Sequence, residues 1–101
     1  MSILLRSVNV FIFLITLVIY LSIGFSIWFF LLFILLPDIS AISYLINENI
    51  GDALYNLVHS YITLFIFFLF FLFTNELFLL EIFLIWLAHI SMDRSLGYTL
   101  R

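Results

Sequence analysis

Four long runs of apolar residues make up nearly the whole chain. Short polar breaks at residues 22–26, 47–52 and 74–76 separate them, which leaves the segments 2–21, 26–46, 52–73 and 75–96. A helix that crosses a bilayer needs about 20 apolar residues, at a rise of about 1.5 Å per residue. The run at residues 65–73 lacks the polar–apolar alternation of membrane β-strands. The sequence therefore predicts an all-α membrane protein, a single domain over residues 1–101, with four antiparallel transmembrane helices and short loops.

The composition excludes several other classes of protein. Hydrophobic residues make up 67% of the chain and charged residues 9%, whereas a soluble domain carries about 25% charged residues. The net charge of −3 with only three basic residues leaves no basic surface for nucleic acid. The chain contains no cysteine, which excludes disulfides and thiolate chemistry. The partner that remains is the lipid bilayer, together with either a second copy of the chain or another membrane protein.

The three arginines discriminate between two topologies. In the alternative topology, residues 8–36 form one tilted span and the protein has three spans. Basic residues collect on the cytoplasmic side of membrane proteins. Four spans place Arg6, Arg94 and Arg101 on one side, whereas three spans place Arg6 opposite the other two. We therefore expect four spans with both termini in the cytoplasm.

Pro37 lies inside the second expected span. Proline lacks the N–H of a helical residue and disfavours helix at the residue before it. We expect the helix to break here and to restart with Pro37 in its first turn. Within a membrane, the freed carbonyls must find donors in the protein or in a cavity. Pro37 and Asp38 should therefore face the interior of the bundle.

The ionisable residues of the last three spans are expected at a similar depth. Counted from the cytoplasmic helix ends at about 1.5 Å per residue, Asp38 lies about 12 Å deep, His59 and His89 about 10 Å, and Asp93 about 4–5 Å. The i, i+4 spacing puts His89 and Asp93 on one helical face. Intramembrane ionisable residues generally face inward and mark functional sites. The sequence thus predicts a cytoplasm-side cluster contributed by three helices.

Two imidazoles with one or two carboxylates are the ligands of a catalytic Zn²⁺-type centre with a position left for water. In this hypothesis Asp38, His59 and His89 bind a divalent metal such as zinc. Asp93 either completes the set or orients His89, and Arg94 steadies an anionic substrate. Asp93 and Arg94 are the expected catalytic residues, and Tyr55 and Asn56 are expected to support the ligands or contact substrate.

Two other interpretations fit the same residues. A metal-free chain of histidines and aspartates can relay protons, as in transporters. Alternatively, the polar groups only lock the helices together, with hydrogen bonds worth about 0.6–2 kcal/mol each, and Asp38 pairs with Arg94. In that case the protein is a non-enzymatic membrane subunit or scaffold.

Short motifs along the chain resemble those of a family of small bacterial membrane proteins, the domain of unknown function 4260. They include Gly24-Phe25-Ser26-x-Trp28, Pro37-Asp38-x-Ser40, Gly51-x-x-x-Tyr55-Asn56-x-x-His59 and Trp86-x-Ala88-His89-Ile90-x-x-Asp93-Arg94. This resemblance implies a multi-span protein of the bacterial inner membrane with no established activity. The order Pro-Asp, His, His-x-x-x-Asp is also similar to membrane-bound metal-dependent hydrolases, which implies hydrolysis at a divalent metal.

Overall fold

The computed structural model describes residues 2–101, which form helices joined by short connections. In chain order these are α1 (Ile3–Ile23), α2 (Ile27–Phe33), a 3-10 helix (Leu36–Leu45), α3 (Glu48–Val58), α4 (Tyr61–Thr74) and α5 (Leu77–Ser95). The prediction of an all-helical chain is confirmed over the described residues.

The first two expected spans are separate helices. Ser2 caps α1 by accepting from the Leu5 N–H, and the helix ends at Gly24, whose φ of 98° lies in the left-handed region that glycine adopts without a steric cost. Ser26 then caps α2 by accepting from the Phe29 N–H. The chain turns between the two caps, so residues 8–36 do not form the single long span of the three-span alternative.

The expected break at Pro37 is confirmed. Helix α2 ends at Phe33, and the 3-10 helix begins at Leu36 with Pro37 in its first turn. The Asp38 N–H bonds the Leu35 carbonyl at 3.0 Å instead of the Ile34 carbonyl, which it would bond in an α-helix. The break therefore leaves the Ile34 carbonyl without its helical donor.

The third expected span differs from the prediction in two ways. It begins at Glu48 instead of Asp52, because Asn47 caps it by accepting from the Ile50 N–H. It also breaks at His59, where α3 and α4 meet at a bend of 51°. Ser60 caps α4 by accepting from the Ile62 N–H, and serine at such a position is a common helix start. The apolar run of α4 conceals this start from a hydropathy argument.

Helix α5 is the centre of the structure. It runs antiparallel to α1, since the Arg6 Nε donates to the Ser95 carbonyl near one end and the Tyr20 hydroxyl donates to Glu81 near the other. On another side it packs against α4, where the rings of Phe68 and Phe83 lie 4.7 Å apart. The core consists of buried residues of α1, α2 and α5: Tyr20, Phe30, Leu84, Ile85 and Ala88. Glu81 is half-buried and accepts the hydrogen bond of the buried Tyr20 hydroxyl.

The outer surface is apolar, as expected of a membrane protein. Large hydrophobic side chains point outward along most helices, and Leu45 and Phe73 are each 87% exposed. Two segments, Ile3–Ile23 and Ile27–Leu45, are long and apolar enough to cross a bilayer, and the bent pair of α3 and α4 makes a third. Helix α5 contains Glu81, Asp93 and Arg94 and is not among these candidates.

We expect the substitution Gly51→Ala to destabilise the protein. Gly51 of α3 is buried against the ring of Tyr44 on the 3-10 helix, and an added Cβ would overlap that ring. Overpacking of this kind costs about 1–3 kcal/mol, so the unfolding temperature in detergent should fall. Leu57→Ala, at a residue of the same helix that is 55% exposed, is the control. A Gly51→Ala protein as stable as wild type would show that this contact is not tight.

Candidate metal centre

Four ionisable side chains from separate parts of the chain meet in one cluster. Asp38 lies in the first turn of the 3-10 helix, His59 at the break between α3 and α4, and His89 and Asp93 on α5. One possible ligand atom from each lies within 4.8 Å of the other three. The predicted convergence of these residues is confirmed.

The four ligand atoms have similar separations. The Nε2 atom of His89 lies 3.1 Å from Asp38 Oδ1 and 3.2 Å from Asp93 Oδ2. The Nε2 atom of His59 lies 3.3 and 3.4 Å from the same two oxygens. The two Nε2 atoms are 3.2 Å apart. Each imidazole therefore faces both carboxylates and the other imidazole.

The cluster is closed on one side and open on the other. His59 and His89 are 3% and 0% exposed. The side chain of Asp93 is 16% exposed and that of Asp38 is 52% exposed. Water and small ligands can therefore reach the cluster from the side of Asp38.

The second nitrogen of each imidazole bonds a main-chain carbonyl. His89 Nδ1 lies 2.6 Å from the Ile34 oxygen, and His59 Nδ1 lies 2.9 Å from the Tyr55 oxygen. A carbonyl oxygen only accepts hydrogen bonds, so Nδ1 carries the proton in both rings. In the neutral rings both Nε2 atoms then have lone pairs directed into the cluster. Metal-binding histidines commonly show this arrangement.

The carbonyl that orients His89 is available because of the break at Pro37. The Asp38 N–H has moved to the Leu35 carbonyl, and His89 Nδ1 takes its place at the Ile34 carbonyl. A freed carbonyl in an apolar interior needs such a donor. The expectation that the protein would supply a donor at the break is thereby confirmed, whereas Asp38, expected to face the interior, has a side chain that is 52% exposed.

The break at His59 is satisfied in the same way by α5. The indole N–H of Trp86 donates to the Val58 carbonyl at 2.7 Å, and Arg94 Nη2 donates to the His59 carbonyl at 3.2 Å. Trp86, His89 and Arg94 thus connect α5 to both breaks. Arg94 makes this contact instead of the pair with Asp38 that the packing hypothesis included.

Of the predicted supporting residues, Tyr55 lies against the cluster. Its main-chain carbonyl accepts from His59 Nδ1. Its ring stacks on the His59 imidazole, with centroids 4.1 Å apart and planes at 13°. The side-chain amide of Asn56 instead exchanges two hydrogen bonds of 2.6 Å with the main chain of Arg101. Arg94 lies beside His59, Asp93 and Tyr98, but the recess between them has a free volume of about 0 Å³. Its guanidinium lies 5.5 Å from the ring of Tyr61 and therefore contacts the protein itself in this structure.

Sequence reasoning missed the partners on the main chain. The carbonyls of Ile34, Tyr55 and Val58 have no signature in residue type. Trp86 was not predicted as a hydrogen-bond donor, although it lies three residues before His89 and therefore shares a face with it. This spacing is the one signal that could have identified Trp86.

The separations within the cluster suit a single small cation. Zn²⁺ takes nitrogen and oxygen ligands at about 2.0–2.2 Å in a tetrahedral arrangement, whose edges are then about 3.3–3.6 Å. The five separations that involve an imidazole are 3.1–3.4 Å. Two imidazoles with two carboxylates form a donor set that accepts zinc and similar divalent metals. The residues present therefore fit a divalent metal ion.

The sequence pattern of the domain of unknown function DUF4260 matches residues 2–101. The chain belongs to this family. No curated protein and no solved structure matches it. The name of the family states no activity. The cluster is therefore the feature that indicates the chemistry of this member.

We expect Trp86→Phe to destabilise the protein, because it leaves the Val58 carbonyl without a donor. A buried polar group without its partner costs about 1–3 kcal/mol, so the unfolding temperature in detergent should fall by several degrees. The matched control is Trp28→Phe, since Trp28 is 77% exposed, and it should change the unfolding temperature little. Equal effects of the two substitutions would contradict the role given to the Trp86 N–H.

Proposed function

We propose that this protein holds a divalent metal ion at Asp38, His59, His89 and Asp93 and uses it to hydrolyse a membrane-proximal substrate. The orientation of the two imidazoles is the observation that carries the proposal. Main-chain carbonyls bond both Nδ1 atoms, so both Nε2 lone pairs point at one small volume between two carboxylates. Two lone pairs 3.2 Å apart repel each other unless a proton or a cation lies between them.

The charge of the cluster also supports a divalent ion. Two carboxylates beside two neutral imidazoles have a charge of −2. Isolated charge is costly in an apolar environment, and a divalent cation compensates this charge. Zinc is the metal that best combines nitrogen and oxygen ligands with a tetrahedral arrangement.

The site residues then have separate roles. Asp93 Oδ2 faces the Nε2 atoms of both histidines, which suits a metal ligand. The other role considered for Asp93, orienting His89, belongs to the Ile34 carbonyl. Four side-chain ligands fill a tetrahedral arrangement, so water would bind as a fifth ligand from the exposed side of Asp38, and the zinc ion would lower its pKa to about 7. Hydrolysis adds the hydroxyl of that water to a carbonyl carbon or a phosphorus atom, and the leaving alcohol takes the remaining proton. Arg94 follows Asp93 in sequence and donates to the His59 carbonyl, so its guanidinium would bind an anionic group of a substrate held at the cluster.

The proposed topology has four spans in a bacterial inner membrane, with both termini and the metal site on the cytoplasmic side. Arg6 of α1 bonds the Ser95 carbonyl at the end of α5, and Arg101 lies 4.9 Å from the ring of Tyr55. These contacts gather the arginines at the end of the molecule that holds the cluster. The positive-inside rule assigns such an end to the cytoplasm.

The metal proposal predicts one divalent ion per chain in protein purified without chelators. His89→Ala and Asp93→Asn should each remove it, because each deletes one of four ligands. Thr16→Val is the control, since Thr16 is equally buried at 2% exposure but bonds only the Ile12 carbonyl of its own helix. Elemental analysis of the four proteins, after equilibration with Zn²⁺ and removal of excess metal, measures the content.

The same proteins test the rival in which the polar residues only fix helix packing. No metal in wild type, with a lower unfolding temperature for His89→Ala, would support packing alone. No metal and an unchanged unfolding temperature would reject both hypotheses. Metal retained in His89→Ala would place the binding site elsewhere.

If the reaction is hydrolysis of an anionic substrate, Arg94→Gln should raise the KM by about tenfold or more, the effect of losing one hydrogen bond to a charged group. Glutamine removes the charge and keeps a polar N–H donor. The test compares a phosphomonoester amphiphile with an uncharged carboxylic ester of the same chain length, and the KM for the uncharged ester should hardly change. Equal changes for both substrates would indicate that Arg94 only supports the fold.

A further inference from the structure

An apolar groove begins next to the cluster of Asp38, His59, His89 and Asp93. Its volume is about 470 Å³, within the range of roughly 300–1,000 Å³ typical of ligand sites. Pro37 and Val58 line one part of it, and they are the covalent neighbours of Asp38 and His59. The groove therefore begins one residue along the chain from two of the four cluster residues.

The groove extends away from the cluster along α5. Trp86, Ile82 and Phe78 line it at intervals of four residues, which corresponds to a length of about 12 Å. Phe29 of α2 lies opposite, with its ring centroid 6.2 Å from that of Phe78. Phe78 is 57% exposed, so the far part of the groove opens onto the apolar outer surface.

The lining offers an occupant no free polar group. All nine lining residues are apolar apart from the indole N–H of Trp86, and that group already donates to the Val58 carbonyl. An occupant therefore binds by apolar contact alone, whereas the polar partners lie at the cluster end. This arrangement fits a molecule with one long apolar part and one polar head.

We propose that this groove binds the acyl chain of an amphiphilic lipid whose polar head lies at the cluster of Asp38, His59, His89 and Asp93. The bilayer against the apolar outer surface supplies such chains at high concentration. The inference rests on the proposed function and narrows its substrate class to an acyl lipid with a hydrolysable head. In the reaction, water would add across one ester or phosphoester bond of the head while the chain stays in the groove.

Fluorescence of Trp86 tests chain binding without any need for hydrolysis. Trp28→Phe leaves Trp86 as the single tryptophan of the chain. The protein is placed in nanodiscs of unbrominated phospholipid, and a fatty acid brominated at mid-chain is added. We expect quenching that saturates at a low mole fraction, since bromine in the groove contacts the indole ring.

Ile82→Phe, which fills the groove, should lower the apparent affinity for the brominated fatty acid, read from the quenching curve, at least threefold. The matched control is Leu77→Phe on the same helix, because Leu77 is 60% exposed and lies outside the groove. Leu36→Phe fills the groove at a second position, where the residue is 50% exposed, and serves if Ile82→Phe does not fold. Quenching that rises linearly and equally in all variants would overturn the inference.

Metal analysis of the same samples separates the two proposals. Saturable quenching in protein that binds no metal would leave the acyl groove standing while the proposed hydrolase fails. Stoichiometric metal with linear quenching would leave the metal site standing and reject the acyl groove.

Discussion

The constraint on which the rest of this structure depends is the need to satisfy main-chain carbonyls where helices break inside apolar surroundings. The chain breaks at Pro37 and at His59, and a freed carbonyl in an apolar interior needs another donor. Helix α5 provides the donors: His89 for Ile34, Trp86 for Val58 and Arg94 for His59. A helix with an otherwise apolar sequence therefore carries polar residues on the face that it turns toward both breaks.

The chemistry of the cluster follows from the same bonds. Since the Ile34 and Tyr55 carbonyls bond the Nδ1 atoms, each ring is left with Nε2 as its inward-facing nitrogen. The breaks also bring Asp38 and His59 from separate segments to the face of α5 that carries His89 and Asp93. The two helix breaks thus both require hydrogen-bond donors and position the residues of the cluster. This explains why the ionisable residues lie next to the breaks.

The sequence predicted the cluster because two elementary rules apply to it. Helical rise placed Asp38, His59 and His89 at similar depth, and the cost of charge in lipid predicted that they face one another. A separate rule, the missing N–H of proline, predicted the break at Pro37. The break at His59 was missed because nothing in the apolar run after Ser60 distinguishes a helix start from a continuing helix. Asn56 was expected to support the ligands or to contact substrate. Its side chain instead bonds the main chain of Arg101, a partner that no side-chain pattern encodes.

The packing hypothesis and the metal hypothesis depend on different nitrogen atoms of the same two imidazole rings. Joining the helices requires only the Nδ1 atoms, which bond the carbonyls. For that purpose a neutral donor such as the Trp86 indole is sufficient, and the structure uses one at the Val58 carbonyl. Two carboxylates at the Nε2 atoms add nothing to those bonds and introduce charge that is costly to desolvate. The Nδ1 bonds alone do not account for Asp38 and Asp93, whose carboxylates lie at salt-bridge distance from the Nε2 atoms of both rings. Their charge calls for a positive partner at Nε2, which is a proton if the cluster only joins the helices and a metal ion if it is the proposed centre.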